Sequence, residues 1–140
     1  MQLGLNGRVA VVSGGSGSIG QAIGRALAAE GAAVALTYHR GRERAEAVAK
    51  EITAAGGTAV AIPYDMEALD AGAAAIAATT DALGPVAVVV ANAVLWPLFD
   101  DELTGLRASL LANTLGPAAL IDAALPAMRA AGWGRVVAVS

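Results

Sequence analysis

Ser13-Gly14-Gly15-Ser16-Gly17-Ser18-Ile19-Gly20 sets a cluster of glycines between the apolar run Val9-Ala10-Val11-Val12 and a helix-like stretch that reaches Glu30. A glycine turn at that junction leaves backbone N–H groups and the positive end of a helix dipole facing one point, which suits the binding of phosphate. A bare glycine pattern is weak. Here the required strand precedes it and the required helix follows, within one strand–helix–strand unit of about 30 residues. Gly14, Gly15, Gly17, Ser18, Ile19 and Gly20 are therefore candidate pyrophosphate-binding positions. The plain alternative is that these glycines only permit a tight turn and close helix packing.

Other reactive groups are scarce, and their scarcity excludes whole classes of chemistry. The chain has no cysteine, so disulfides, thiolate nucleophiles and cysteine metal sites are ruled out, and a reducing cytoplasm is the simplest location. His39 is the only histidine, which removes histidine-based metal clusters, and no metal site is expected. Nine basic residues against twelve acidic ones give a net charge of −3 with no basic stripe. Nucleic acid is thereby excluded as a partner.

The elements that must position the glycine turn follow from hydrophobic patterning. Arg8 to Ser13, Ala33 to Tyr38, Thr58 to Pro63, Val86 to Ala91 and Arg135 to Ser140 are short apolar runs without polar alternation, as expected of strands buried on both faces of a parallel sheet. Between them lie helical stretches, Ile19 to Glu30, Arg42 to Ala55, Leu69 to Leu83 and Leu103 to Ala131. The last contains Gly116-Pro117 and Pro126, which predicts a bent helix or ragged ends. Right-handed crossovers then give an α/β, doubly wound parallel sheet in the order 3-2-1-4-5. At 140 residues a single domain is expected, spanning residues 1–140. With 56% hydrophobic but only 4% aromatic residues, alanine and aliphatic side chains must build the core. A charge-free run from Ala82 to Phe99 is long enough to raise a membrane span, but Gly84-Pro85, Asn92 and Trp96-Pro97 interrupt it. A buried strand between loops fits better, and no membrane partner is expected. Trp96 and Trp133 read as packing residues.

On these residues the chain resembles the short-chain dehydrogenases/reductases. The glycine turn is similar to that family's Thr-Gly-x-x-x-Gly-x-Gly, with Ser13 in place of threonine, Gly17 one position early and Ser18 at the middle glycine. Further matches arrive in family order: Asp65 in Pro63-Tyr64-Asp65-Met66, Ala91-Asn92-Ala93-Val94 after the fourth strand, and Asn113 in Ala112-Asn113-Thr114-Leu115-Gly116-Pro117. Leu125-Pro126-Ala127-Met128-Arg129 and Gly132-Trp133-Gly134-Arg135 then resemble the family's entry to strand five. The resemblance runs from Leu5 to the last residue and would cover about half of a typical member. It implies a Rossmann fold, hydride exchange between a nicotinamide and a small carbonyl or alcohol substrate, adenine contact by Asp65, ribose contact by Asn92, Ala93 and Val94, and a proton-relay water held by Asn113. Asp65 as a loop or capping residue, Asn92 as a tie between strands and Asn113 as a helix-backbone partner are the plainer readings of the same residues.

The end of the second strand bears on which dinucleotide is preferred. Thr37-Tyr38-His39-Arg40-Gly41-Arg42 has no acid until Glu43, and Tyr38 stands where the family usually carries the aspartate that accepts the ribose hydroxyls. Tyr38, His39 and Arg40 are thus candidate cofactor-binding residues. Arg40 and Arg42 are positioned in sequence to meet a 2′-phosphate, where a hydrogen bond to a charged group is worth about 1.5–3 kcal/mol. NADP is the expected cofactor, ahead of NAD, although the turn itself carries no basic residue.

The family's acid–base pair is a tyrosine with a lysine four residues on. The only tyrosines are Tyr38 and Tyr64, and neither has lysine at that spacing. The family's serine would fall just beyond Ser140. The expectation is therefore a cofactor-binding part of a longer chain, cut before the last strands, with little or no activity alone. An open sheet edge at strand five predicts homo-oligomers or association through that edge. Three rivals remain: a non-catalytic NADP(H)-binding or partner-binding module, a methyltransferase, which usually needs an acid at the end of strand two, and a P-loop nucleotidase, which needs a lysine after Gly20.

Overall fold

The computed structural model describes residues 3–96 and 101–140. Pro97 and Phe99, part of the expected interruption and end of the charge-free run, lie outside the described residues. In chain order the elements are β1 (Val9–Val12), α1 (Ser18–Ala29), β2 (Ala33–Tyr38), α2 (Arg42–Ala54), β3 (Thr58–Pro63), α3 (Ala71–Leu83), β4 (Val86–Ala91), α4 (Glu102–Leu110), a π-helical turn (Leu111–Leu115), α5 (Gly116–Ala130) and β5 (Arg135–Ala138). The strands form one parallel sheet in the order β3-β2-β1-β4-β5, as the alternating pattern predicts.

The two faces of the sheet make two core layers. Val9 and Val11 of β1 join Ala35, Ile62, Val89, Leu120, Ala124 and Met128 beneath α3 and α5. Ala10 and Val12 point the opposite way and join Val34, Leu36, Val48, Ile52, Val88 and Val90 beneath α1 and α2. This is the period-2 geometry of a strand applied to a run that is apolar at every position. It explains why β1 and β4 lack polar alternation and are buried throughout.

Differences from the sequence expectation have local causes. β5 ends at Ala138 rather than Ser140 because its partner β4 ends at Ala91. One further bond, Val139 N–H to Ala91 O at 2.9 Å, closes the ladder. α3 starts at Ala71 rather than Leu69, since Asp65 and its neighbours form turns first: Asp65 Oδ1 accepts the Glu67 N–H at 3.0 Å, and Ala71 N–H reaches Ala68 O at 3.0 Å. The expected fourth helical stretch is α4 and α5 joined through the π-helical turn, with Pro117 in the first turn of α5 and Pro126 inside it. The continuous run Glu102–Ala130 is long and apolar enough to cross a membrane by length and composition alone. Its second half is nevertheless a core helix, because Leu120, Ala124 and Met128 are buried against the sheet.

Trp133 packs as expected, lying beside the α1/α2 layer with the guanidinium of Arg8 at 4.2 Å from its ring centre and that of Arg135 at 4.6 Å. Trp96 does not. It is 81% exposed, so its reading as a packing residue is corrected.

Candidate functional site

The C-terminal ends of β1, β2, β3 and β4 open onto a cleft of about 380 Å³. In open α/β sheets this is where ligands bind, because the order of strands reverses there and neighbouring connections part. The glycine turn forms one wall. Gly14 adopts φ +69°, a backbone conformation that side chains disfavour, and its carbonyl accepts the Gly17 N–H at 3.0 Å. Gly15 is pinned over β2 by its N–H to Thr37 O at 2.8 Å, and a Cβ there would stand 2.7 Å from Leu36. A Cβ at Gly20 would collide with the carbonyl oxygen of Gly14. The turn is thus held against the sheet so closely that no side chain fits beneath it.

Helix α1 begins at this turn without a side-chain cap. Its first intrahelical bond is Gln21 N–H to Gly17 O at 2.9 Å, so the N–H groups of Ser18, Ile19 and Gly20 precede the helical ladder. Unsatisfied N–H groups at a helix start, next to a cleft, form an anion cradle. Gln21 steadies it by donating from Nε2 to Ser16 O at 3.0 Å. The fit to a pyrophosphate therefore stands on the backbone of this chain.

The facing wall is tied to the turn by Ser13, the residue that stands in place of the family's threonine. Ser13 is 2% exposed, and its Oγ accepts the N–H groups of both Asn92 (2.9 Å) and Ala93 (3.0 Å). Asn92 returns a bond from Nδ2 to Ser13 O at 3.1 Å, which realises its plainer role as a tie between strands β1 and β4. Asn113 reaches back from the π-helical turn to clasp Leu95: its Oδ1 accepts the Leu95 N–H at 2.7 Å and its Nδ2 donates to Leu95 O at 2.8 Å and to Ser109 Oγ at 3.2 Å. Leu95 lines the cleft, so Asn113 positions that wall without lining it.

Of the sequence-predicted residues, Gly14, Gly17, Ser18, Ile19, Gly20, His39, Asp65, Asn92, Ala93 and Val94 line the one cleft. Gly15 lies under the turn, Tyr38 is half-buried behind it, and Arg40 is exposed at the surface, none of them lining the cleft. Arg42 is turned onto its own helix, with Nε 2.7 Å from Glu46 Oε1. Ser16, Met66, Glu67 and Leu95 line the cleft and were not singled out by sequence. Asp65 shows why its position matters: Oδ1 is fixed by the Glu67 N–H, and Oδ2 lies 3.9 Å from His39 Nδ1.

Neither tyrosine is placed for acid–base work. Tyr64 is 6% exposed within the α3/α5 layer and its hydroxyl has no hydrogen-bond partner. Burial, with a smaller contribution from the Asp65 charge, pushes its pKa up to about 12, so it keeps its proton at neutral pH.

The comparisons agree with this geometry. A sequence model of the family described as short chain dehydrogenase matches residues 8–140. A short chain dehydrogenase of Pseudocercospora fijiensis is 36% identical over 141 residues, covering 97% of this chain and 45% of that protein. A metagenomic short-chain oxidoreductase solved in complex with NADP is 40% identical at a TM-score of 0.87, covering 97% of this chain and 63% of that one. A 7α-hydroxysteroid dehydrogenase complexed with NADH and 7-oxo glycochenodeoxycholic acid is 26% identical at a TM-score of 0.90, covering 97% of this chain and 54% of that one. The chain thus spans about half the length of the proteins it matches. With the glycine turn, the strand order and the matched residues in agreement, the chain belongs to the short-chain dehydrogenase/reductase family of NAD(P)-binding oxidoreductases.

Proposed function

We propose that this chain supplies the coenzyme-binding part of an oxidoreductase that moves hydride to or from a small carbonyl or alcohol substrate, with NADP(H) preferred over NAD(H). The observation that carries the proposal is the cleft in which a capless helix start, the Gly14–Gly20 turn, Asp65 and Asn92–Val94 converge. The coenzyme, when bound, donates or accepts the hydride. The chain's own residues bind and orient it. Backbone N–H groups of Ser18, Ile19 and Gly20 would hold the diphosphate, Asp65 the adenine and the Asn92–Val94 segment the nicotinamide-side ribose, with Asn113 keeping that segment in place. The absence of an acid at the end of β2 supports the 2′-phosphorylated form, because a carboxylate there would repel it. Solved relatives with NADP and with NADH both exist, so the preference rests on these side chains.

Residues 1–140 are proposed as one domain, the N-terminal part of a longer cytoplasmic protein that assembles with copies of itself. Positioned acid–base catalysis commonly contributes about 10²–10⁴ in rate, and Tyr64 cannot provide it. Turnover by the 140-residue chain alone is therefore expected to be negligible. The same buried Tyr64 favours, as second reading, a nucleotide-binding module without chemistry. A downstream Tyr-x-x-x-Lys in the reading frame after codon 140 would select the enzyme, and a native stop would select the module. The test of the main reading is calorimetric titration with NADPH and NADH. Binding of both with NADPH tighter is expected; equal or tighter NADH binding defeats the coenzyme preference, and no binding of either by folded protein defeats the reading itself.

A further inference from the structure

At the end of the sheet away from the cleft, two arginines share one indole. Arg8 directly precedes β1 and Arg135 opens β5, and their guanidinium carbons lie 4.2 Å and 4.6 Å from the centre of the Trp133 ring, within the reach of cation–π attraction. Backbone fixes all three positions. The Arg8 N–H donates to Leu5 O at 2.9 Å, and the Arg8 carbonyl accepts the Ala33 N–H at 2.8 Å. The Trp133 N–H donates to Met128 O at 3.1 Å, and Gly134 packs so closely on Met128 that a Cβ there would collide with its side chain. Arg135 is aligned with Val88 in the β4–β5 register, and its Nη1 donates to Gly134 O at 2.7 Å.

The protein supplies no counter-charge to this pair. Among the described residues the ion pairs are Arg25 with Glu51, His39 with Asp65 and Arg42 with Glu46, and none involves Arg8 or Arg135. Among the same residues, the bond from Arg135 to Gly134 O is the one side-chain hydrogen bond that the two arginines donate. A guanidinium laid against an indole keeps its N–H edge free, and that edge is a planar fork matched to the oxygens of a phosphate. Because the ring and the backbone already hold both side chains, little rotamer freedom is left to lose when an anion arrives. A net charge of −3 gives the chain no general attraction for anions, so affinity here has to come from the two forks. We propose that Arg8 and Arg135, held in place by Trp133, form a binding site for a phosphate-type dianion. The site is separate from the cleft: the four residues of β1 put about 13 Å of strand between Arg8 and the glycine turn.

The test reads Trp133 directly. Trp96 is the other tryptophan of the chain and is 81% exposed, so W96F leaves Trp133 as the sole indole reporter. Sodium phosphate is titrated into W96F at about pH 8, above the second ionisation of phosphate, with sodium chloride holding the ionic strength constant. The expected result is a saturable change in Trp133 emission. R8A and R135A in the same background should each weaken binding at least about tenfold, as for loss of a charge-assisted hydrogen bond. R107A removes an exposed arginine of α4, outside the stack, and should leave binding unchanged. R8K keeps the charge but not the fork; it should also bind less tightly, and it decides the point if circular dichroism shows an alanine variant unfolded. Glycerol 3-phosphate distinguishes the source of the anion: tighter binding than inorganic phosphate assigns the site to an organic phosphate, and equal or weaker binding assigns it to the free ion. No saturable change, the same change with sodium chloride alone, or binding by R8A, R135A and R8K equal to the parent's would overturn the inference and leave the stack as packing alone.

Discussion

At the scale of single residues, the glycine turn separates positions that need glycine for room from those that do not. A Cβ at Gly20 would enter the carbonyl of Gly14, whereas one at Gly17 would lie 3.4 Å from the same oxygen, an ordinary contact at φ −86°. Gly20→Ala should therefore destabilise the fold by about 1–3 kcal/mol as an overpacked site and abolish nucleotide binding. Gly17→Ala should change stability by less than about 1 kcal/mol, as a substitution at an exposed helix cap. Chemical denaturation of the two variants checks both values, and equal losses would refute the distinction. Tyr64 offers a pH test. Its folded pKa of about 12 lies above the usual value for tyrosine, so its contribution is complete below the unfolded pKa and is lost as pH rises toward the folded one. Tyr64→Phe removes a buried hydroxyl without a partner, and is expected to be neutral or stabilising by up to about 1 kcal/mol at pH 7 and to move the alkaline unfolding midpoint upward. These residue roles differed in how far sequence disclosed them. The glycine turn was legible because its spacing is local. Ser13 and the clasp of Asn113 on Leu95 were not, because their partners lie 79 or 80 and 18 residues away and no spacing rule connects them.

Among the elements, those whose limits are set by burial on both faces were the most legible. β2 and β4 have the bounds that their apolar runs predict and are buried along most or all of their length, and β3 has its predicted bounds too although only Ile62 in it is buried. Limits set by pairing or by turns escaped: β5 stops where β4 stops, and α3 waits for the Asp65 turn. The π-helical turn escaped for another reason. No residue preference encodes it; Asn113 binds Leu95 there, and Gly116 at its end approaches the Met66 carbonyl so closely that a Cβ would collide with it. On its far side α5 buries Leu120, Ala124 and Met128 in the core, whereas no residue of α4 is buried. α4 is consequently held by its first turn, where Asp101 accepts from the backbone N–H groups of Leu103 (3.3 Å) and Thr104 (2.8 Å) and from the Thr104 hydroxyl. The Thr104 hydroxyl first, and then its N–H, lower the pKa of Asp101. A lowered carboxylate pKa means that the stabilisation is present at neutral pH and disappears as pH falls through the folded value. Asp101→Ala should therefore reduce hydrogen-exchange protection in α4 while leaving α5 unchanged, and acidification should reproduce that effect in the parent. Equal loss across α4 and α5 would show that the two helices open as one unit.

Across the whole molecule, apolar surface is distributed unevenly. Ile19 and Val94 are exposed at the cleft, and the β5 end of the sheet is open. Val136, Val137 and Val139 are 44%, 49% and 45% exposed on or just after the edge strand, and Leu103, Leu106 and Leu110 are exposed on α4. An edge strand adds unpaired backbone groups to that apolar surface and so directs association toward strand pairing. A net charge of −3 provides little repulsion against it. The chain should associate with increasing concentration in light scattering. Val137→Lys, which places a charge on the edge strand, should shift it toward monomer, whereas Leu106→Lys on α4 should have a smaller effect. Neither position lines the cleft, so nucleotide affinity should be unchanged in both. Stronger suppression by the α4 substitution would transfer the contact from the edge to the helix, and a parent that stays monomeric at high concentration would show that the exposed strand attracts no copy of this chain.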